Sequence, residues 1–190
     1  FVQRRKTSYT FADALDWMYI RDPNHGSYAL SGDSFVLSGT SRTLDSMYPT
    51  FIGIRQTGFC GRVECRVEVS GGEGGITLYM DENHHYDIAV RKTDNGEYEA
   101  LLRLNVGDMR YVRSTHRVNG CVSIGITMNN YVYSFTVRDA DGVIDMGSAQ
   151  TRYLSTEVAC GFTGVMIGLY AQGEDSRSEF RDFLCEYTKL

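Results

Sequence analysis

The amino-acid sequence predicts an all-β domain built as an antiparallel sandwich or barrel. Three observations support this prediction: apolar and polar residues alternate in many short segments, turn signals recur about every 8–12 residues, and no long window shows a helical period. The 190 residues, 42% of them apolar, are enough for one core, and no Pro/Gly/Ser-rich linker divides them. The composition of 20 Gly, 13 Tyr and 2 Pro fits aromatic strands joined by turns.

The alternation also locates individual strands. In residues 62–69, Val63, Cys65, Val67 and Val69 share one face while charged residues occupy the other, which predicts a half-buried strand. Similar patterns predict further strands at 76–80, 85–91, 98–106, 122–128, 131–138, 164–171 and 180–187. Turns are expected at the flexible glycine run 71–75, at 93–96, at 129–130 and at 139–142.

Charge and chain ends narrow the class of protein. A formal net charge of −5 and an aromatic fraction of 12% exclude a disordered chain and a general nucleic-acid binder. The basic cluster after Phe1 has no apolar stretch behind it, so a signal peptide is not predicted. We expect a fragment of a longer protein, with residues 1–10 as a tail or the remnant of an interdomain connection and residues 11–190 as the domain.

The five cysteines are Cys60, Cys65, Cys121, Cys160 and Cys185, and no two of them form a Cys-x-x-Cys pair. A zinc ribbon is therefore not expected. Most of them lie in apolar patterns, where cysteine acts as a small hydrophobe. We expect a reduced, cytoplasmic setting, with disulfide bonding as the open alternative.

Two segments contain residue types that bind metals. Residues 81–85 read Asp-Glu-Asn-His-His, but adjacent residues of a strand point to opposite faces, so His84 and His85 are not expected to share an ion. Asp139-x-Asp141-Gly142 resembles the start of a calcium loop without its later bidentate acid. We interpret both segments as hairpin turns. No cofactor and no metal ligand is predicted, and a structural calcium ion remains open without assigned ligands.

The residues alone do not suggest catalysis. The chain has no Gly-x-Ser-x-Gly motif and no Cys–His pairing by spacing, and His116 lies in a basic, polar stretch that we expect to be solvated. Tyr79, Tyr86, Tyr131 and Tyr133 could form a sheet face that stacks on sugars. Packing in the core with hydroxyls at the rim is the favoured alternative, because strand tyrosines are commonly half-buried.

Several segments resemble the C-terminal concanavalin A-like domain of family 43 glycoside hydrolases, the β-xylosidase and α-L-arabinofuranosidase group. The first, residues 11–23, contains Leu-Asp before Trp17 and then Arg-x-Pro. The next are 28–37 and 51–56, and the most specific is 153–168, supported by 75–87. The resemblance runs from about Phe11 to Tyr187, which is nearly the whole chain.

The resemblance implies a two-sheet antiparallel jelly-roll sandwich. In the family this sandwich packs on an N-terminal β-propeller, which holds the catalytic acids and hydrolyses by inversion, so no catalytic residue is expected in this chain. The implied partners are that propeller and a xylo-oligosaccharide substrate, with a homo-oligomer as a further expectation. No nucleic acid or membrane partner is expected.

The resemblance also assigns site residues. Phe162, flanked by Gly161 and Thr163, matches a phenylalanine that helps to wall the sugar pocket; its alternative role is core packing. Phe51 and Arg55 are the candidate domain-interface residues, and the family's paired arginines are reduced to Ile54-Arg55. The expected function is a non-catalytic accessory domain, and the alternatives are a freestanding carbohydrate-binding module or a structural, dimerising sandwich.

Overall fold

The computed structural model describes residues 6–161 and 164–188, which form two antiparallel sheets. In chain order the strands are β1 (Ser8–Tyr9), β2 (Met18–Tyr19), β3 (Tyr28–Leu30), β4 (Ser34–Ser38), β5 (Thr50–Arg55), β6 (Gly61–Ser70), β7 (Glu73–Asp81), β8 (His84–Lys92), β9 (Tyr98–Val106), β10 (Met109–Val118), β11 (Cys121–Met128), β12 (Val132–Asp139), β13 (Gly142–Gln150), β14 (Met166–Gln172) and β15 (Arg177–Tyr187). One short helix, α1 (Thr156–Ala159), and two 3-10 turns, at His25–Ser27 and Thr151–Tyr153, complete the described elements.

The sheets stack as a sandwich. Sheet A has the order β13-β12-β11-β6-β15-β4-β3, with β1 added on β15, and sheet B has the order β10-β9-β8-β7-β14-β5-β2. Every strand pairing is antiparallel. The predicted two-sheet antiparallel sandwich is confirmed, and the barrel alternative is not adopted.

Strand β6 shows how the sequence pattern becomes structure. Val63, Cys65, Val67 and Val69 are buried between the sheets, while the charged residues between them are exposed. The alternation therefore places one face of sheet A in the core and the other in water.

The N-terminal part of the domain is anchored by aromatic packing. Phe11 lies 4.3 Å from Phe35 between ring centroids, and Trp17 lies 4.8 Å from both Phe35 and Phe183. The Trp17 indole N–H donates to the carbonyl of Thr10 at 3.0 Å. These contacts explain why the segment around Trp17 folds against sheet A without forming a long strand.

The interior strands of sheet B are buried on both faces. One face of β7, including Ile76 and Leu78, joins the main core, whereas Tyr79 joins a second cluster on the outer face together with Phe51 and Tyr170. Leu44, from the segment between β4 and β5, is buried in this second cluster. The segment 40–48 therefore covers part of the outer face of sheet B, and we call it the covering segment.

The glycine run after β6 differs from the expectation. A flexible turn over 71–75 is wrong, because β7 begins at Glu73 and includes Gly74 and Gly75. A Cβ on Gly75 would lie 2.2 Å from the carbonyl oxygen of Ile88 on the neighbouring strand. The glycine is needed for the close approach of two strands, and only residues 71 and 72 form the turn.

The end of the predicted N-terminal tail belongs to the sandwich. Ser8 and Tyr9 pair with Glu186 and Cys185 of β15, and the Tyr9 side chain is buried. The backbone N–H of Tyr187 donates to the carbonyl of Thr7 at 2.8 Å. The domain described by the structure therefore begins before residue 11, because these backbone groups complete an edge of sheet A.

Candidate functional site

The segment that follows β13 contains the residues assigned by resemblance to the sugar pocket. It passes through the turn Thr151–Tyr153 and helix α1, and then turns at Cys160 and Gly161, whose φ values are +58° and +113°. Gly164 has a φ of +69°, a region that favours glycine. Phe162 and Thr163 lie outside the described residues, so the structure places only their neighbours.

The C-terminal part of this segment, at Gly164 and Val165, contacts the end of β5. The backbone N–H of Gln56 donates to the carbonyl of Val165 at 2.9 Å, and the Tyr133 hydroxyl donates to Oε1 of Gln56 at 3.0 Å. A Cβ on Gly164 would lie 3.6 Å from Nη1 of Arg55. Arg55 is exposed at this position, so its side chain is available to another domain.

Phe51, the other candidate interface residue, lies elsewhere. Its side chain is 0% exposed and packs 5.4 Å from the ring of Tyr79 in the second cluster. A side chain without accessible surface in the single chain cannot contact another domain directly. Of the two candidates, only Arg55 presents its side chain at the surface.

The same end of the sandwich carries exposed apolar side chains. Phe59 is 74% exposed and Tyr131 is 79% exposed, and Val158 of α1 is also exposed. The loop of Tyr131 is joined to the segment that carries Val158, since the Thr151 N–H donates to the carbonyl of Tyr131 at 3.0 Å. We call this surface, formed by residues 55–60, 129–131 and 151–161, the loop end. Exposed apolar groups that gather at one end mark a surface suited to a partner.

A second candidate region is a polar network centred on His85, on the outer face of sheet B. His85 is buried, with Nδ1 2.8 Å from Oδ1 of Asp87 and Nε2 3.0 Å from Oδ1 of Asp45 in the covering segment. Asn105 contributes its amide nitrogen, 2.9 Å from the same Asp45 oxygen. Burial by itself would lower the pKa of His85, but the two carboxylates outweigh it and raise the pKa to about 9.

The network continues along sheet B through Arg103. Its guanidinium donates to Glu73 at 2.7 and 3.0 Å and to Asp87 at 3.2 Å. The Tyr170 hydroxyl and the Gln172 amide also donate to Glu73, at 2.7 and 3.0 Å. Each carboxylate of the network already contacts cations or hydrogen-bond donors. These contacts join strands of sheet B to one another and to the covering segment, as expected of a structural network.

The two adjacent histidines separate as predicted. His84 is the first residue of β8 and has Nδ1 2.9 Å from Oδ1 of Asp81, whereas His85 enters the network. Among residues 6–161 and 164–188, no group of three or more His, Cys, Asp or Glu side chains is arranged to hold a metal ion. The predicted turn at 139–142 is confirmed, with the Asp141 N–H donating to Oδ1 of Asp139 at 2.9 Å.

The four tyrosines do not form a common sugar-stacking face. Tyr86 and Tyr133 pack edge to face in the main core, with ring centroids 6.3 Å apart. Tyr79 is buried in the second cluster on the opposite side of sheet B, and Tyr131 is exposed at the loop end. Core packing, the favoured alternative, is therefore correct for three of them.

All five cysteines are free thiols. Burial raises the pKa of Cys65 and raises that of Cys185 to about 11, while Cys160 is exposed. His116 is exposed on β10, as predicted. No helix among the described residues is long and apolar enough to cross a membrane.

Known proteins are similar to this chain in sequence and in fold. Residues 11–184 match the family model of the β-xylosidase C-terminal concanavalin A-like domain. A non-reducing end α-L-arabinofuranosidase from Bacteroides ovatus is 34% identical over 189 residues, covering 90% of this chain and 35% of that enzyme. A solved Bacteroides ovatus structure, described as xyloglucan PUL GH43B, superposes with a TM-score of 0.84 at 29% identity, covering 99% of this chain and 40% of that one.

A third comparison extends the fold match. The xylan β-1,4-xylosidase from Bacillus halodurans has a TM-score of 0.81 at 15% identity, with coverage of 98% of this chain and 40% of that chain. The chain thus spans only about a third to two fifths of the proteins that it matches. By the match over residues 11–184, this chain belongs to the family of C-terminal concanavalin A-like domains of family 43 glycoside hydrolases.

Proposed function

We propose that this chain is the non-catalytic accessory domain of a glycoside hydrolase that cleaves xylo-oligosaccharides, and that it packs on a catalytic β-propeller. One observation carries the proposal: the family match covers residues 11–184, yet the chain spans 35% of the arabinofuranosidase that it matches. The relatives therefore contain a large region beyond this domain, in which catalytic residues can reside.

The carboxylates of the sandwich support a non-catalytic role. Inverting hydrolysis needs one carboxylic acid to protonate the leaving group and a separate carboxylate to activate water. Glu73, Asp45 and Asp87, which lie together on sheet B, are instead paired with Arg103, Arg110 and His85. Because taking one partner from such a pair would leave an uncompensated charge, these acids are held within the sheet and do not present a free carboxylate to a sugar.

The loop end supplies the surface for the propeller. Phe59 and Tyr131 expose most of their side chains there, and Arg55 lies beside Gly164. Phe162, between Gly161 and Gly164, is our proposed wall of the sugar pocket. An apolar ring at that position would exclude water from the sugar site, which strengthens the polar contacts inside it.

The first test uses the chain by itself. We expect no turnover of 4-nitrophenyl β-D-xylopyranoside or 4-nitrophenyl α-L-arabinofuranoside above the buffer rate, and no saturable heat on titration with neutral xylo-oligosaccharides. Turnover at ordinary enzyme rates would contradict the accessory role. Saturable heat would instead support the freestanding carbohydrate-binding module.

The second test addresses Phe162. In a chimaera, this chain replaces the matching C-terminal region of the Bacteroides ovatus arabinofuranosidase, and Phe162→Ala is introduced. We expect kcat/KM to fall about tenfold, with partial recovery in Phe162→Tyr. The matched control is Val143→Ala, an exposed apolar residue in the β12–β13 hairpin. Equal activity of Phe162→Ala and the control would favour a purely structural or dimerising sandwich.

A further inference from the structure

A cleft opens at the side of the sandwich where the edge strands β10 and β13 approach each other. Its volume is about 420 Å³, within the range of small-molecule sites. Buried Tyr86 and Leu104 form the floor, and Tyr111, Arg113 and Tyr153 line the opening. The floor is held in place by the Tyr86 hydroxyl, which donates to the carbonyl of Gln150 at 2.9 Å.

Two β-bulges shape the opening. In β10 the register with β9 shifts between Val112 and Ser114, so that Arg113 is the extra residue. In β13 the register with β12 shifts at Met146. The bulges meet, because the Ser114 hydroxyl donates to the carbonyl of Met146 at 2.6 Å. Bulges redirect side chains and are frequent beside binding sites.

Gly147 makes room for the redirected arginine. Its φ is +109°, and a Cβ at this residue would lie 3.0 Å from Nε of Arg113. A larger residue would be strained there and would crowd the guanidinium. The second bulge therefore accommodates the side chain that the first one redirects.

Arg113, which lines the opening, is not neutralised by an acid of the described chain, and neither is Arg152, the neighbour of the lining residue Tyr153. Within the described ranges, no carboxylate lies within ion-pair distance of Arg113 or of Arg152. The Arg152 guanidinium lies 5.1 Å from the centre of the Tyr153 ring and donates to its hydroxyl at 3.3 Å. By contrast, Arg110 and Arg117 of the same strand β10 pair with Asp45 and Glu97. An unpaired guanidinium beside a cleft is suited to bidentate contact with a carboxylate.

The aromatic residues give the cleft its second chemical property. Tyr111 is 51% exposed and Tyr153 is 38% exposed, although both line the cleft. Such rings offer an apolar face together with a polar hydroxyl, and Ser148 and Gln150 add hydrogen-bonding groups. This combination suits a sugar ring, which has apolar C–H faces and polar edges.

We propose that this cleft binds a sugar residue that carries a carboxylate, as a uronic acid does. Arg113 pairs with the carboxylate, and Tyr111 and Tyr153 contact the ring. The choice of a carbohydrate rests on the proposed function, whereas the choice of an anionic one rests on the unpaired guanidinium.

The test titrates the chain with sodium D-glucuronate and, separately, with neutral D-glucose, and follows backbone amide shifts by NMR. We expect saturable shifts of residues in β10 and β13 with glucuronate and much weaker binding of glucose. Arg113→Gln should weaken glucuronate binding about tenfold or more, because a hydrogen-bonded charge pair is lost. Tyr111→Ala should weaken it as well.

Arg117→Gln is the matched control, since it removes a guanidinium from the same strand away from the cleft. The proposal is overturned if glucuronate and glucose bind equally, if neither shifts these amides, or if Arg117→Gln has the same effect as Arg113→Gln. Melting temperatures identify a variant that fails to fold, and Arg113→Lys then provides a milder change. Failure of this binding leaves the turnover and chimaera tests of the accessory role unaffected, so the two proposals are tested separately.

Discussion

Nε2 of His85 lies 3.0 Å from Oδ1 of Asp45, and this contact joins a buried strand of sheet B to the covering segment. Asp45 also pairs with Arg110 on the edge strand β10, at 3.2 Å. Leu44, next to it, is buried in the second cluster. Leu44 and Asp45 thus hold the covering segment on the outer face of sheet B by an apolar contact and by ion pairs with His85 and Arg110.

Stability should fall as the pH rises from about 6.5 to about 9. His85 has a pKa of about 9 in the folded protein, above the value of about 6.5 expected when it is unfolded. The contribution of His85 to the free energy of unfolding is therefore complete below about pH 6.5 and is lost as the pH rises through 9. The difference corresponds to roughly 3 kcal/mol. Urea unfolding at pH 6.5, 8 and 9.5 measures this change in the free energy of unfolding.

The controls for this prediction are two histidine variants. His85→Gln should remove most of the pH dependence in this window, and His116→Gln, at an exposed position on β10, should retain it. A His85→Gln protein with the same slope as the unmodified chain would show that other groups cause the dependence.

Neutralising Asp87 should destabilise the sandwich strongly. Asp87 is fully buried and faces both His85 and Arg103, so Asp87→Asn leaves two cations without their shared anion. We expect a loss of about 3–5 kcal/mol in the free energy of unfolding at pH 7. Glu186→Gln removes an exposed partner of Arg62 and should cost less than about 1 kcal/mol. Similar costs for the two variants would contradict the structural role of the network.

Gly168→Ala should also destabilise the fold. A Cβ at this position would lie 1.9 Å from Cε2 of Phe51, whose ring is fully buried and packs against Tyr79. Overpacking of this kind costs about 1–3 kcal/mol. Gly32→Ala is the control, because no atom lies within 4 Å of its added Cβ. Equal unfolding midpoints in urea for the two variants would contradict the tight contact between β14 and β5.

Thiol labelling should separate the cysteines by burial. Cys160 is exposed, whereas Cys65 and Cys185 are buried and their pKa values are raised by burial. With Ellman's reagent at pH 8 we expect Cys160 to react in the native protein and the two buried thiols to react only after unfolding. Cys160→Ser should lower the amplitude of the fast labelling phase by one thiol. An unchanged amplitude would show that Cys160 does not react in the native protein.

Most of the fold follows from period-two patterns in the sequence. Strand β6 was predictable because Val63 and Val67 alternate with charges and one face is buried. Strand β10 was not predicted, since it is an edge strand whose residues are exposed on both faces and its pattern carries no burial signal. Strand β13 was also missed, where the extra residue Met146 interrupts the alternation.

The site residues were less predictable than the strands. The His85 network unites residues from the covering segment and from β7, β8, β9 and β14, and such contacts depend on sheet order rather than on local spacing. The cleft beside Arg113 needs two bulges on different sheets to coincide. Buried charges at alternate positions of apolar strands, such as Asp87 in β8, were the available sequence signal for the network.

The proposed accessory role requires that this sandwich completes the catalytic region of a longer enzyme. The most direct measurement compares kcat/KM on 4-nitrophenyl α-L-arabinofuranoside for three forms of the Bacteroides ovatus enzyme: unmodified, truncated before the matching region, and with this chain in its place. We predict that truncation lowers kcat/KM about 100-fold or more and that this chain restores at least about a tenth of the unmodified value. A truncated enzyme with full activity, or a chimaera no better than the truncated form, would rule out the accessory role.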